Sequence, residues 1–147
     1  MAPLIVLAAS FGLLRLAGLA GIGALDETSL PLRIAVALMF LLTASAHWGP
    51  MRADLVRMVP AWFPRPELAV TLTGVLEVAG AVGMLVPATA PYAAVGLAIL
   101  LLAMFPANVH AARAKLSIGG RPVTPLLPRS AMQGVFLAAV VGGGWIV

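Results

Sequence analysis

The sequence contains no cysteine among its 147 residues. The missing thiols exclude disulfides, thiolate-bound metals, iron–sulfur clusters held by this chain, and dithiol redox relays. Charged residues are also scarce, at 10%, whereas 62% of the residues are hydrophobic and the mean hydropathy is +1.08. Soluble domains average about 25% charged and about 45–50% apolar residues, so this composition excludes an ordinary water-soluble globule. Redox chemistry would therefore require a bound cofactor, and the sequence does not identify one.

Five apolar runs occupy most of the chain. A hydrocarbon core of about 30 Å needs about 20 helical residues at about 1.5 Å each, and every run is close to that length. The runs do not alternate as the strands of a membrane barrel do, so helices are favoured. We therefore expect one all-α domain over residues 1–147, an integral membrane bundle with five spans. The spans are predicted at residues 3–24, 31–48, 67–87, 91–112 and 129–147.

The first run has an alternative interpretation as a cleaved signal peptide, because small residues cluster near residues 20–24. Such a peptide has a basic segment before its apolar run, whereas this sequence has none and Arg15 interrupts the run. A retained helix is the prediction.

The basic residues indicate an orientation in the membrane. Seven of the nine Lys and Arg lie in or beside two connectors, the one after the second run and the one after the fourth. Basic residues next to spans are retained in the cytoplasm. We therefore predict a protein of the cytoplasmic (inner) membrane, with a cytoplasmic N-terminus and an external C-terminus. The same clustering explains the net charge of +4 without nucleic acid as a partner.

Glu77 is the acidic residue that falls in the middle of a run. A charge at mid-bilayer costs about 2.5–3.5 kcal/mol on insertion scales, so the carboxyl needs a partner or a function. Helical spacing places Thr73 and several small residues on its face, where a neighbouring helix can approach closely. One interpretation is a carboxylate that accepts protons or binds a ligand. The other is a structural carboxyl, protonated or ion-paired with Arg15 at a similar depth, which fixes helix register.

Further polar residues lie toward the basic ends of four runs. Asn108 and His110 are about 200° apart around a helix and cannot both face one cavity. The two histidines are interpreted as interfacial residues, as catalytic or ligand-contacting groups, or as axial haem ligands. A divalent metal needs three or more ligands in one shell, so no metal site is predicted. The group consists of His47 with Thr43 on the same face, Thr71, Asn108, His110 and Gln133.

Five segments, in their order and spacing, resemble the DoxX-like small membrane proteins over about residues 31–147. The resemblance implies a four-helix membrane core, to which the first helix is an addition. It also draws attention to Glu77, His47, Asn108 and His110. That family takes its name from a membrane subunit associated with thiosulfate:quinone oxidation. The segments are Phe40–His47, Pro60–Pro64, Leu72–Ala81, Phe105–His110 and Gly120–Pro122.

Three classes of function follow as hypotheses. The first is a DoxX-like protein that binds a small lipophilic, quinone-like molecule beside Glu77, as accessory to a membrane redox or stress-response assembly. Thr43, Thr73, Asn108 and Gln133 would contribute ligand contacts. The second is an isomerase or cyclase acting on an isoprenoid or other lipid, with Glu77 as general acid or base and His47 or His110 as proton relay. The third is a structural or chaperone-like scaffold for a partner protein or a second copy of the chain.

Overall fold

The computed structural model describes residues 1–146, which form six α-helices and one short β-hairpin. A single 3₁₀ turn, Gly23–Leu25, follows the first helix. The hairpin strands β1 (Ser117–Ile118) and β2 (Arg121–Pro122) are antiparallel, with Ser117 opposite Pro122. The helices are α1 (Ala2–Leu19), α2 (Ser29–Ser45), α3 (Arg52–Met58), α4 (Pro66–Leu85), α5 (Ala90–Arg113) and α6 (Leu126–Trp145).

Four of the helices close into a ring around one core. The helix α2 packs against α4 and α6, and α5 packs against the same two helices from the other side. The helix α1 lies outside this ring, against α2. Large apolar side chains cover the outer faces of the helices, which is the arrangement expected where the solvent is lipid. The largest fully buried side chains are Phe40, Met39, Met84, Leu97, Val36, Val140 and Pro31.

The prediction of an all-α helical bundle is confirmed. The helices α1, α4, α5 and α6 are each long and apolar enough to cross a membrane. The remaining apolar helix, α2, is shorter, with 17 residues. It ends at Ser45 rather than at the predicted residue 48, and the next residues turn so that His47 packs back against the bundle.

Proline and glycine explain several of the helix boundaries. Proline lies in the first turn of α1, α4 and α5, where its missing N–H would have had no helical partner. The helix α1 ends two residues before Gly21. The φ of Gly21 is +105°, a backbone conformation that glycine adopts readily and that does not continue a helix. The predicted end at residue 24 is therefore wrong by five residues. The helix α6 begins at Leu126, before Pro128. Proline is tolerated in the first turn of a helix, so Pro128 does not prevent this earlier start.

The connectors after α2 and α5 meet at one end of the bundle, which we call the basic end. Asp54 of α3 joins them, because its Oδ2 accepts the Gly119 backbone N–H at 2.7 Å. Its Oδ1 accepts a hydrogen bond from Arg57. The hydrogen bond from the Gly119 N–H is the main cause that holds the pKa of the Asp54 carboxyl below its usual value, and the hydrogen bond from Arg57 is the next. Gly119 has a φ of +57°, which favours glycine at this tight turn.

Candidate functional site

The bundle encloses a small polar cluster between α2 and α4. It consists of Thr43, His47 and Glu77, and we call it the Glu77 cluster. Glu77 is 2% exposed and His47 is 4% exposed. The Thr43 hydroxyl lies 2.8 Å from Glu77 Oε2, and His47 Nδ1 lies 3.9 Å from the same oxygen. The cluster therefore combines a carboxyl, a hydroxyl and an imidazole in an apolar interior.

Gly74 permits this close approach of α2 and α4. A Cβ atom at residue 74 would lie 2.7 Å from the Cβ of His47 and 3.0 Å from Cη2 of Trp48. Gly74 precedes Glu77 by three residues, so the two share a face of α4. The absence of a side chain at residue 74 thus lets His47 lie beside Glu77.

Backbone carbonyls hold the residues of α2 in place. The Thr43 hydroxyl is also 3.0 Å from the carbonyl oxygen of Phe40, and His47 Nδ1 lies 3.2 Å from that of Thr43. The His47 backbone N–H donates to the carbonyl of Ala44 at 2.9 Å. These bonds turn the imidazole back toward α4.

Arg52 ties the cluster to the basic end. Its guanidinium donates to the carbonyl oxygen of His47 at 2.7 Å and to that of Glu67 at 3.1 Å. It also donates to the Thr71 hydroxyl at 2.9 Å. One side chain at the start of α3 therefore joins the end of α2 to the first turns of α4. This role of Arg52 could not be predicted from the sequence, because its partners on α4 are brought to it only by the packing of the helices.

The expected ion pair between Arg15 and Glu77 does not form. Arg15 donates to the carbonyl oxygen of Leu25 at 2.9 Å and to that of Asp26. The helix α1 ends at Leu19, so Arg15 lies one turn from the end of its helix rather than at its middle. Its guanidinium therefore reaches the connector to α2, and His47 is the basic side chain within 4 Å of Glu77 in residues 1–146.

Three other predicted ligand-binding residues lie apart from the Glu77 cluster. The Thr73 hydroxyl lies within hydrogen-bond distance of two carbonyl oxygens of its own helix, that of Ala69 at 2.9 Å and that of Val70 at 3.1 Å. Gln133 of α6 donates to the carbonyl of Leu101 at 2.7 Å. Asn108 accepts a hydrogen bond from Arg129. Each of these side chains forms its hydrogen bond within its own helix or with a neighbouring helix. Of the predicted contact residues, Thr43 is the one that bonds to Glu77.

His110 faces a different feature, a shallow cavity of about 510 Å³ beside α5 at the basic end. We call it the His110 groove. Most of the lining residues are apolar, and His110 and Arg113 are the two whose side chains carry nitrogen donors. Asn108 is not part of the lining, in agreement with the prediction that the two residues face different ways. The groove is lined by Pro60, Ala61, Trp62, Phe105, Pro106, Val109, His110 and Arg113.

A second shallow cavity, also of about 510 Å³, lies between α3 and the start of α4, beside Arg52 and Glu67. Neither of these two cavities is lined by Glu77. Within the described part of the chain, no group of three or more histidine or acidic side chains could hold a metal ion.

Four helices form a ring, and α1 lies outside it. The outer faces of these helices are apolar, and the ring encloses the carboxyl group of Glu77. A family described as a domain of unknown function (DUF8561) matches residues 36–141, which is most of the chain. The chain therefore belongs to this family. The matched region runs from α2 to α6 and includes the Glu77 cluster and the His110 groove. No curated protein and no solved structure matches the chain.

Proposed function

We propose that the chain is an integral membrane protein that binds a small lipophilic molecule in the His110 groove. The molecule has an apolar body and a head with hydrogen-bond acceptors, as a quinone does. The supporting observation is the lining of the groove, which is apolar except for the donors of His110 and Arg113. The protein would act as an accessory to a membrane redox or stress-response assembly, a role that agrees with its resemblance to DoxX-like proteins.

The dimensions and chemistry of the groove agree with such a ligand. Small-molecule sites have volumes of about 300–1,000 Å³ and are mostly apolar, with a few polar groups that fix orientation. The groove falls within this range, at about 510 Å³. Its lining contains no carboxylate that would repel the oxygen atoms of a ligand head. Binding beside Glu77 or catalysis on a lipid at Glu77 has weaker support, because neither cavity described above reaches that residue.

The proposed orientation places the basic end in the cytoplasm. We expect Ala88→Cys to react with a membrane-impermeant maleimide in intact cells, because residue 88 is exposed at the end opposite the basic end. Ser117→Cys, exposed in β1, should react only after permeabilisation. The cysteine-free sequence supplies the unlabelled control. The reverse pattern would contradict the orientation, and labelling of both sites in intact cells would contradict membrane insertion.

The ligand proposal predicts selective losses of affinity for a short-chain ubiquinone analogue, measured by equilibrium binding to the purified protein in lipid nanodiscs. His110→Ala removes a donor, and one hydrogen bond contributes about 0.5–1.5 kcal/mol, or about two- to tenfold in affinity. Trp62→Ala should weaken binding at least as much, because an aromatic side chain of the lining is lost.

Tyr92→Phe is the matched control, since it removes an exposed hydroxyl from the first turn of α5, far from the groove. We expect its affinity to equal that of the wild type. If His110→Ala and Trp62→Ala bind normally while Glu77→Gln loses binding, the ligand lies beside Glu77 and the groove assignment is wrong. If no variant changes the affinity, neither site binds this ligand.

A further inference from the structure

The Glu77 cluster contains one hydroxyl hydrogen that faces two oxygen acceptors. The Thr43 oxygen lies 2.8 Å from Glu77 Oε2 and 3.0 Å from the carbonyl oxygen of Phe40. A hydroxyl group has one hydrogen to donate and two lone pairs that accept. Thr43 can therefore donate to only one of these oxygens at a time, although both lie within hydrogen-bond distance.

The two positions of that hydrogen match the two states of the carboxyl. When Glu77 is ionised, Thr43 donates to its Oε2, a hydrogen bond to a charged acceptor. When Glu77 is protonated, its O–H donates to the Thr43 oxygen, and Thr43 donates to the carbonyl of Phe40. Neither state requires a heavy atom to move, because both hydrogen bonds use the observed positions of the oxygens.

The surrounding charges do not hold Glu77 permanently in its ionised form. In the turn just after α2, His47 is the titratable group that faces Glu77, at 3.9 Å. On α3, Arg52 is directed to the carbonyl of His47 rather than to Glu77. The titratable residues of α5 lie in its first and last turns, and within residues 1–146 the ion-pair partner of Glu77 is His47 alone. No permanently charged guanidinium therefore holds the carboxyl in its ionised form.

Within residues 1–146, the polar groups next to Glu77 lie on its side toward the basic end. Toward the basic end, His47 lies against Glu77, and its carbonyl is bound to Arg52. Toward the opposite end, the next residues on the inner face of α4 are Ala81 and Met84, both with 0% exposure. A proton that reaches Glu77 thus has hydrogen-bonding groups on the basic side and an apolar barrier on the other.

We propose that Glu77 is an exchangeable proton-binding site inside the bundle, reached from the basic end, with the Thr43 hydroxyl as partner to both forms. A proton from solvent bonds to Oε2, the carboxylate loses its charge, and the hydroxyl hydrogen turns from Oε2 to the carbonyl of Phe40. The return step reverses each change. This proposal does not depend on a ligand in the His110 groove.

The test is infrared spectroscopy of the protein in lipid nanodiscs across a pH series in which it stays folded. The chain has three glutamates, so Glu27→Gln combined with Glu67→Gln leaves Glu77 as the sole one. Both replaced side chains are exposed and lie outside the cluster. Labelling with ¹³C-glutamate then identifies the C=O stretch of protonated Glu77 by its isotope shift. We expect this band at low pH and its replacement by carboxylate bands as pH rises.

Two further variants examine the partners. Thr43→Val removes the group that accepts from protonated Glu77, so the C=O band should move to a higher wavenumber. His47→Leu removes the polar group on the basic side, so the band should respond more slowly to a pH jump. A band that is absent at every pH, or unchanged at every pH, would overturn the proton-binding site. An unshifted band in Thr43→Val would overturn the role of Thr43. An unchanged rate of the band's response to the pH jump in His47→Leu would overturn the proposed proton route from the basic end.

Discussion

Replacement of Arg52 by methionine is expected to lower the free energy of unfolding by about 1.5–3 kcal/mol, the range for hydrogen bonds to a charged group. The variant keeps the apolar stem but leaves the carbonyl of His47 and the Thr71 hydroxyl without their donor. The segment after α2 then loses its side-chain link to the first turns of α4, and the carbonyl of His47 loses its donor. Reversible unfolding in bicelles measures the change.

Arg57→Met is the matched control for Arg52→Met. Arg57 lies in the same helix, but its side chain is 63% exposed and its partner is the surface carboxylate of Asp54. Exposed ion pairs contribute about 0–1 kcal/mol, so this variant should unfold close to the wild type. Arg52→Lys retains the charge without the planar fork and should fall between the two. Equal stability of Arg52→Lys and wild type would show that charge alone suffices.

The helices could be predicted from the sequence because their apolar runs match the length of a bilayer span and prolines mark their first turns. The same reasoning failed at the end of α1. An apolar composition continues to residue 24, but the positive φ of Gly21 ends the helix near Leu19. Because of that difference of five residues, Arg15 lies one turn from the end of its helix rather than at its middle. The ion pair predicted from comparable depth was wrong for this reason.

Depth along a helix could be predicted better than direction around it. Glu77 is buried, as the small residues on its face indicate, and Thr43 and His47 are brought to it from α2. Asn108 and Gln133 lie toward the same end but bond to Arg129 and to a carbonyl of α5. Which neighbour a helix face meets depends on packing between distant segments, and local sequence spacing carries no information about it.

The second prediction with a large expected effect on stability concerns Gly74, where α4 packs closely against the end of α2. Gly74→Ala is expected to lower the free energy of unfolding by about 1–3 kcal/mol, as overpacking of a core does. The new methyl group would lie 2.7 Å from the Cβ of His47. That Cβ is fixed by its own backbone and cannot swing aside, so the helices must separate. Glu77 then becomes accessible to water, and unfolding in bicelles together with carboxyl reactivity at residue 77 measures both consequences.

Gly96→Ala separates crowding from helix propensity. Gly96 lies inside α5 on an exposed face, and within the described residues no heavy atom outside its own helical backbone lies within 4 Å of a Cβ built there. Alanine is favoured over glycine in a helix interior by about 0.5–1 kcal/mol, so this variant should be more stable than the wild type. The two substitutions add the same methyl group to helical glycines, and their effects should have opposite signs. If both stabilise the protein, α2 and α4 do not approach as closely at residue 74 as the burial of Glu77 requires.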